Sequence, residues 1–319
     1  MAKSLIGIEM SSIEVCITRS NGKVVHEKMP ATLFGSNGVS SPEALADFLK
    51  QVKKQHRISG SDCAFILPSS ATYFITTDTP VMSEKELKLN VPYEFKDYIG
   101  VDTGRYNYDY VVDKVNENVS GDPESLHLYA AAGDKEVIAE YEKAFKMAGL
   151  KLKSALPYEM CAIKLMKDIA NEGKEYCLIG VGYNETRIYI FKGSELMASK
   201  VIDLGCINID AVIADKALTD VYRAATLRNA NRDNIQASSF LTPVYDRISL
   251  EVVKTINFYK YQHSDSLLDT AYFFGYGSNN DTLVNNICKS IEFRKGNILD
   301  ILPDQFNDGR ALMGIGLIL

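Results

Sequence analysis

Two stretches of the chain share one layout. LIGIEMSSIEVCITRSNGKVV (5–25) and CLIGVGYNETRIYIFKGSELM (177–197) each read as an apolar strand, a short polar turn, a second strand and a glycine turn. At an offset of 171 residues, Glu9, Ser11, Ile17 and Gly22 fall on Gly180, Gly182, Ile188 and Gly193. At 173, Leu5-Ile6-Gly7-Ile8 falls on Leu178-Ile179-Gly180-Val181 instead. Either register lays one β-hairpin over another. A chain whose halves open on the same hairpin is expected to form two lobes, each built on its own sheet. Its 319 residues are also too many for one small core. Any two apolar hairpins would align in part, so the plain-sheet alternative stays open here.

The remaining pattern fills in these lobes. Asn21-Gly22 is a hairpin turn signal, since both residue types tolerate positive φ. Ser41-Pro42 starts a helix with Leu45, Phe48, Leu49 and Val52 at helical spacing. Ser83 and Glu86 form a capping box, and Pro92 kinks or restarts the helix that follows. RYNYDYVVD alternates, with Tyr106, Tyr108 and Tyr110 on one face. From about 80 to 155 the order is helix, strand, strand, helix, strand, a compact α+β insertion. A long helix follows Pro243, with Ile248, Val252, Ile256 and Tyr259 on one face and Glu251 and Lys254 beside it. TAYFFGYGS then runs from a strand into a Gly275-Tyr276-Gly277 turn. Three polar or glycine turns thus follow strand ends, where backbone N–H groups gather and can hold phosphate.

Composition removes several function classes. The net charge is −6, and the nearest thing to a basic stripe is Arg223, Arg228 and Arg232 among neutral residues, so no nucleic-acid partner is expected. The six cysteines form no C-x-x-C pair and the four histidines show no metal spacing; buried thiols are the expectation. The opening MAKSLIGIEM is too short for a signal peptide or a membrane span, so a cytoplasmic protein is expected, without direct membrane insertion.

The order hairpin, insertion, hairpin, helix, strand to Gly-x-Gly, terminal helix resembles the actin-like ATPase superfamily, a two-lobed α/β (ASKHA) fold with an α+β insertion subdomain. LPSSATYFITTDTPVMSEKELKLNVPYEFKDYI, LYAAAGDKEVIAEYEKAFKMAGLKL and ISLEVVKTINFYKYQ are similar to stretches of one branch, the PilM family of type IV pilus assembly. The resemblance implies a first-lobe core at 1–79 and 156–172 with a C-terminal helix at 309–319. It implies an inserted subdomain at 80–155, a second-lobe core at 173–205 and 248–308, and a helical subdomain at 206–247. It implies nucleotide contacts at Glu9, Ser11, Ser12, Gly182, Tyr183, Asn184, Glu251, Lys254, Gly275 and Gly277. ATP is the possible cofactor, with Mg²⁺ only alongside it, and no catalytic or metal-ligating residue is assigned.

This chain departs from the family pattern where actin-like hydrolysis needs acids. Glu9 and Ser11 replace an Asp and a Gly in the first turn, and Gly180 stands in the second Asp slot. Misplaced acids are poorly tolerated in catalysis. The expectation is therefore a scaffold with a degenerate site rather than an enzyme. Its implied partner is the N-terminal cytoplasmic tail of a PilN-like inner-membrane protein, with the pilus assembly ATPase or the platform protein as further candidates. Tyr93, Phe95, Tyr98, Tyr106, Tyr108 and Tyr110 are the implied partner-binding residues, in this system or a type II secretion-like one. Other readings remain for these residues. Glu9 also reads as a solvated strand-end acid, Glu251 and Lys254 as a surface pair, and the tyrosines as a packed sheet face. An ATP-dependent phosphotransferase is the rival function, and it would need an acid where Gly180 stands. An FtsA-like filament protein would need a terminal amphipathic anchor, which GIGLIL does not supply.

Overall fold

A computed structural model describes residues 5–35, 38–60, 62–100, 102–118 and 121–319. Residues 1–4, part of the stretch read above for a leader, lie outside it. The chain opens with β1 (Ile6–Met10), β2 (Glu14–Arg19) and β3 (Val24–Lys28). In the turn between β2 and β3 only Gly22 takes positive φ, +83°, and Asn21 does not. A Cβ at Gly22 would stand 1.9 Å from the Gln305 carbonyl oxygen, so glycine is required for space as well as for torsion. The short antiparallel pair β4 (Phe34–Gly35) and β5 (Gly38–Val39) precedes α1 (Pro42–Gln55), which Ser41 caps through the Ala44 N–H. Next come β6 (Asp62–Ile66) and β7 (Thr72–Pro80). The expected capping box of Ser83 and Glu86 opens α2 (Glu84–Glu94). This helix runs through Pro92 and breaks at Phe95, before the single turn α3 (Lys96–Ile99).

The insertion continues with β8 (Tyr106–Glu117), β9 (Pro123–Asp134), α4 (Lys135–Met147) and β10 (Lys151–Leu156). After α5 (Tyr158–Ile169) come β11 (Glu175–Val181), β12 (Thr186–Lys192) and β13 (Glu195–Ile202). The helices α6 (Cys206–Ala217), α7 (Val221–Asn229) and α8 (Thr242–Gln262) follow. The chain closes with β14 (Thr270–Phe274), α9 (Asp281–Ile291), β15 (Arg294–Gly296) and α10 (Leu312–Ile318).

By backbone proximity the chain divides into two compact units. One comprises Met1–Ile8 and Leu33–Cys161, the other Glu9–Thr32 and Ala162–Leu319. In the first, β6 lies between β1 and β10, parallel to both. Phe65 of β6 packs on Tyr141 and Phe145 of α4. A second, antiparallel sheet has the order β7-β9-β8. Leu87, Val91 and Phe95 close its core with Ile75, Leu126, Leu128 and Ala130.

The second unit is built on a sheet of order β13-β12-β11-β14-β15, in which β11, β14 and β15 run parallel. Alternation splits β11 between two faces. Cys177, Ile179 and Val181 join the main core, together with Ile248, Val252 and Ile256 of α8 and Leu283, Val284 and Ile287 of α9. On the other face, Tyr176 meets Tyr272, and Tyr189 stacks on Phe274. The β2–β3 hairpin and α10 belong to this unit. Leu312 to Leu317 are all buried, and a Cβ on Gly314 would come within 2.5 Å of Thr18 Oγ1 on β2. All six cysteines are buried thiols, and no helix among the described residues is long and apolar enough to cross a membrane.

Candidate functional site

The three turns read as phosphate candidates come together in the second unit, and each is tied to its neighbours through its own backbone. In the first turn, the Ser11 N–H donates to Glu14 O (2.9 Å), and Ser11 Oγ accepts from the N–H groups of Ile13 and Glu14. Ile13 is thereby turned into the main core beside Val181 and Tyr183. In the second turn, the Gly182 N–H donates to Glu185 O (2.9 Å). The carbonyls of Gly182 and Tyr183 accept from the first N–H groups of α6, those of Cys206 (3.1 Å) and Ile207 (2.8 Å). Gly205 allows this approach, since a Cβ there would lie 2.5 Å from Tyr183 O. In the third turn, the Gly277 N–H donates to Val181 O (2.8 Å) and the Gly275 N–H to Arg310 O (3.2 Å).

A charged network joins these turns. Asp210 of α6 and Arg228 of α7 form a buried two-point ion pair, at 2.6 and 3.2 Å. The Arg228 guanidinium lies 5.1 Å from the Tyr276 ring centre and that of Arg310 lies 5.7 Å from it. The Tyr276 ring edge meets Tyr183 at 5.8 Å. Arg310 Nη2 donates to both oxygens of Glu14, at 2.7 and 2.8 Å. His26 Nδ1 is 3.0 Å from Glu14 Oε1, and its Nε2 is 2.8 Å from Asp308 Oδ2. Burial opposes the His26 charge, but the hydrogen bonds to Asp308, Cys16 and Glu14 outweigh it and hold the imidazole pKa up at about 12. Burial likewise works against the Glu14 and Asp308 carboxylates, yet His26 and Arg310 keep both below their usual pKa values. Asp210 is pushed up by burial, against the pull of Arg228.

A family profile described as type IV pilus assembly protein PilM matches residues 12–302. The chain belongs to the PilM family. No curated protein matches it in sequence. Among solved structures, a PilM–PilN type IV pilus biogenesis complex is similar over 98% of this chain and 97% of that one, at 18% identity and a TM-score of 0.82. The ethanolamine utilization protein EutJ from Carboxydothermus hydrogenoformans matches at 12% identity and a TM-score of 0.60, over 99% of this chain and 89% of its own. MreB 5 of Spiroplasma citri bound to AMPPNP matches at 9% identity and 0.55, over 99% and 95%. The fold of this PilM-family chain is therefore actin-like.

That fold implies ATP with Mg²⁺, and the turns of this PilM-family chain offer it few groups. A triphosphate needs open N–H donors: those of Ser11, Gly182, Gly275, Gly277, Cys206 and Ile207 have acceptors within the protein, while those of Ser12, Tyr183 and Asn184 have no backbone acceptor. Nor is there an acid in the slot of Gly180: a Cβ there would lie 2.3 to 2.9 Å from the ring of Phe274, its partner in the β11–β14 register. Glu14 and Asp308 are held by side-chain cations, as is Glu185 by Arg187. Glu9 is half-buried near the end of β1. Glu251 and Lys254 are not part of this assembly; they form a surface pair on α8, 2.6 Å apart.

The expected partner residues separate into two groups. Tyr93 and Tyr98 are 58% and 57% exposed, alongside Val81 and Leu89, and Lys96 lies 4.3 Å from the Tyr93 ring centre. Leu89 and Tyr93 are four residues apart and so share a face of α2. Phe95 is fully buried, a core residue packed against Tyr108 at 5.6 Å, so no partner reaches it in the folded protein. Tyr106, Tyr108 and Tyr110 turn toward this same core, and Tyr108 OH donates to Thr103 O (3.0 Å). Sequence reasoning missed Glu14, His26, Asp210, Arg228, Asp308 and Arg310 as a set. Among their side-chain ion pairs the closest sequence spacing is 12 residues, between Glu14 and His26, which is no local pattern. Arg228 had stood out only as a member of a weak basic stripe.

Proposed function

We propose that this chain is a cytoplasmic scaffold of type IV pilus assembly that binds an extended segment from the N-terminus of a PilN-like inner-membrane protein. That partner recruits it to the inner face of the membrane. Family membership and similarity to a PilM–PilN complex along nearly the whole chain support this reading. The observation that carries it is the exposure of Val81, Leu89, Tyr93 and Tyr98 on a subdomain whose own core is already filled by Leu87, Val91 and Phe95. An extended apolar segment laid on the Leu89–Tyr93 face would cover these side chains, with Tyr93 as anchor and Lys96 at the rim. The scaffold does its work without turning over nucleotide.

The test is fluorescence anisotropy with a labelled peptide from the N-terminus of the neighbouring membrane protein, with and without Mg-ATP. Wild-type protein binds in both conditions. Tyr93→Ala weakens binding by about 1–2 kcal/mol, the range of an interface aromatic. Full-strength binding by a folded Tyr93→Ala/Tyr98→Ala variant would remove this surface, and absence of binding by the wild type would remove the partner.

A further inference from the structure

The first unit carries a cluster of cations that the turns of the second unit do not use. We propose that the end of this unit where α1 and α4 terminate is a docking surface for the anionic headgroups of a phospholipid membrane, met by contact and not by insertion. α1 closes on Lys53-Lys54-Gln55-His56-Arg57, a denser basic run than the stripe at 223–232. β6 and β10 are parallel neighbours, and each follows one of these helices, so both helices end at the same edge of the sheet. Lys53 Nζ ties the two ends together by donating to the carbonyls of Ala148 (3.2 Å) and Gly149 (3.1 Å). Lys54 and Arg57 on one side, and Lys146 and Lys151 on the other, are exposed. Their side chains make no hydrogen bond or ion pair among the described residues. The acids nearby are Asp62, which Lys153 approaches at 3.8 Å, and Glu142, one turn before Lys146. Cations in a last helical turn complement the helix dipole, which accounts for Lys54 and Lys146 alone. Arg57 and Lys151 lie outside both helices. Arg57 sits at φ +50°, a left-handed position of the kind that Gly149 takes after α4 at +70°. An arginine there costs backbone energy that a glycine does not, and no contact of its side chain among the described residues offsets that cost. The pattern also selects the partner. A single fixed anion is gripped by forks and converging donors. These side chains are unpartnered, come from two helix ends and a strand, and three of the four are lysines, flexible point charges. Such a set suits a diffuse anionic surface, where each cation adds its own share.

The inference rests on the membrane reading above only for bringing such a surface within reach, and its test contains no partner peptide, so that either can fail alone. The full chain is sedimented with vesicles of phosphatidylcholine, pure or with about 30% phosphatidylglycerol, at ~50 mM and ~500 mM salt. Binding is expected to the anionic vesicles at the lower salt only. Lys54→Gln, Arg57→Gln, Lys146→Gln and Lys151→Gln each weaken it about fivefold, the share of one cation near a charged leaflet, and the combined variant no longer binds. A control pair in the second unit, Lys216→Gln with Lys289→Gln, removes two exposed lysines and binds as the wild type does. Arg57→Gly weakens binding by the same factor while its thermal midpoint is no lower than that of the wild type, because glycine suits the left-handed backbone. Binding that survives the combined variant, an equal loss in the control pair, or no preference for anionic vesicles overturns the proposal. So does retention of the wild type on immobilised polyglutamate without binding to anionic vesicles, which would assign the patch to an acidic protein.

Discussion

Gly180 shows how one side chain decides what a turn can do. Its missing Cβ makes room for the Phe274 ring, which in turn stacks on Tyr189. Glycine here answers to packing, whatever an acid in that slot would have contributed. Gly180→Ala is expected to cost about 1–3 kcal/mol by overpacking. Phe274→Ala is expected to cost about 3–5 kcal/mol through the cavity it leaves. The double variant should lose less than the sum, because the new methyl enters space the ring has vacated. Urea unfolding of the four proteins measures the coupling, and additivity to within about 0.5 kcal/mol would place the ring elsewhere. From sequence, Gly180 reads as a lost carboxylate. What it faces depends on the β11–β14 register, which no local pattern encodes.

At the scale of elements, the β2–β3 hairpin and the segment leading into α10 are joined through His26, and this junction should respond to pH. The groups facing the imidazole are Glu14, Asp308 and Cys16, with Arg310 on the far side of Glu14. His26 has a raised folded pKa, so its contribution to stability is complete below about 6.5 and is lost as pH rises toward about 12. Glu14 and Asp308 have depressed pKa values, so theirs is present above about 4.5 and is lost as pH falls. The junction is therefore strongest between these limits. His26→Gln should flatten the decline in the urea midpoint between pH 7 and 10, and a slope equal to wild type would remove His26 from the account. Much of the element order is legible in sequence, because caps and periodicity are local: Ser41 and the Ser83–Glu86 box open their helices as expected. Pro92 is the exception. The helix absorbs it and breaks at Phe95, because the core secures Leu87 and Val91 on one side and Phe95 on the other.

Across the whole molecule, the paired hairpins and the strand to Gly-x-Gly motif announce the architecture, and family and fold comparisons agree with it. The site is less legible, since two of its ion pairs join residues 282 and 296 positions apart. That separation also bears on how the protein is made. On the ribosome, Val15 and Ile17 of β2 emerge almost three hundred codons before Arg310 and the apolar residues of α10. Throughout that interval β2 lacks both the helix that covers it and the guanidinium that neutralises Glu14. The second unit is thus obliged to finish folding only once α10 has emerged, the late closure expected of long-range contacts. A chain ending before Asp308 should accumulate in the insoluble fraction, while full-length Arg310→Gln stays largely soluble; centrifugation of lysates distinguishes them, and a soluble, folded truncation would show that β2 needs no such cover. Nascent copies would then carry β2 uncovered through all the elongation that separates it from α10, a window that lengthens as translation slows.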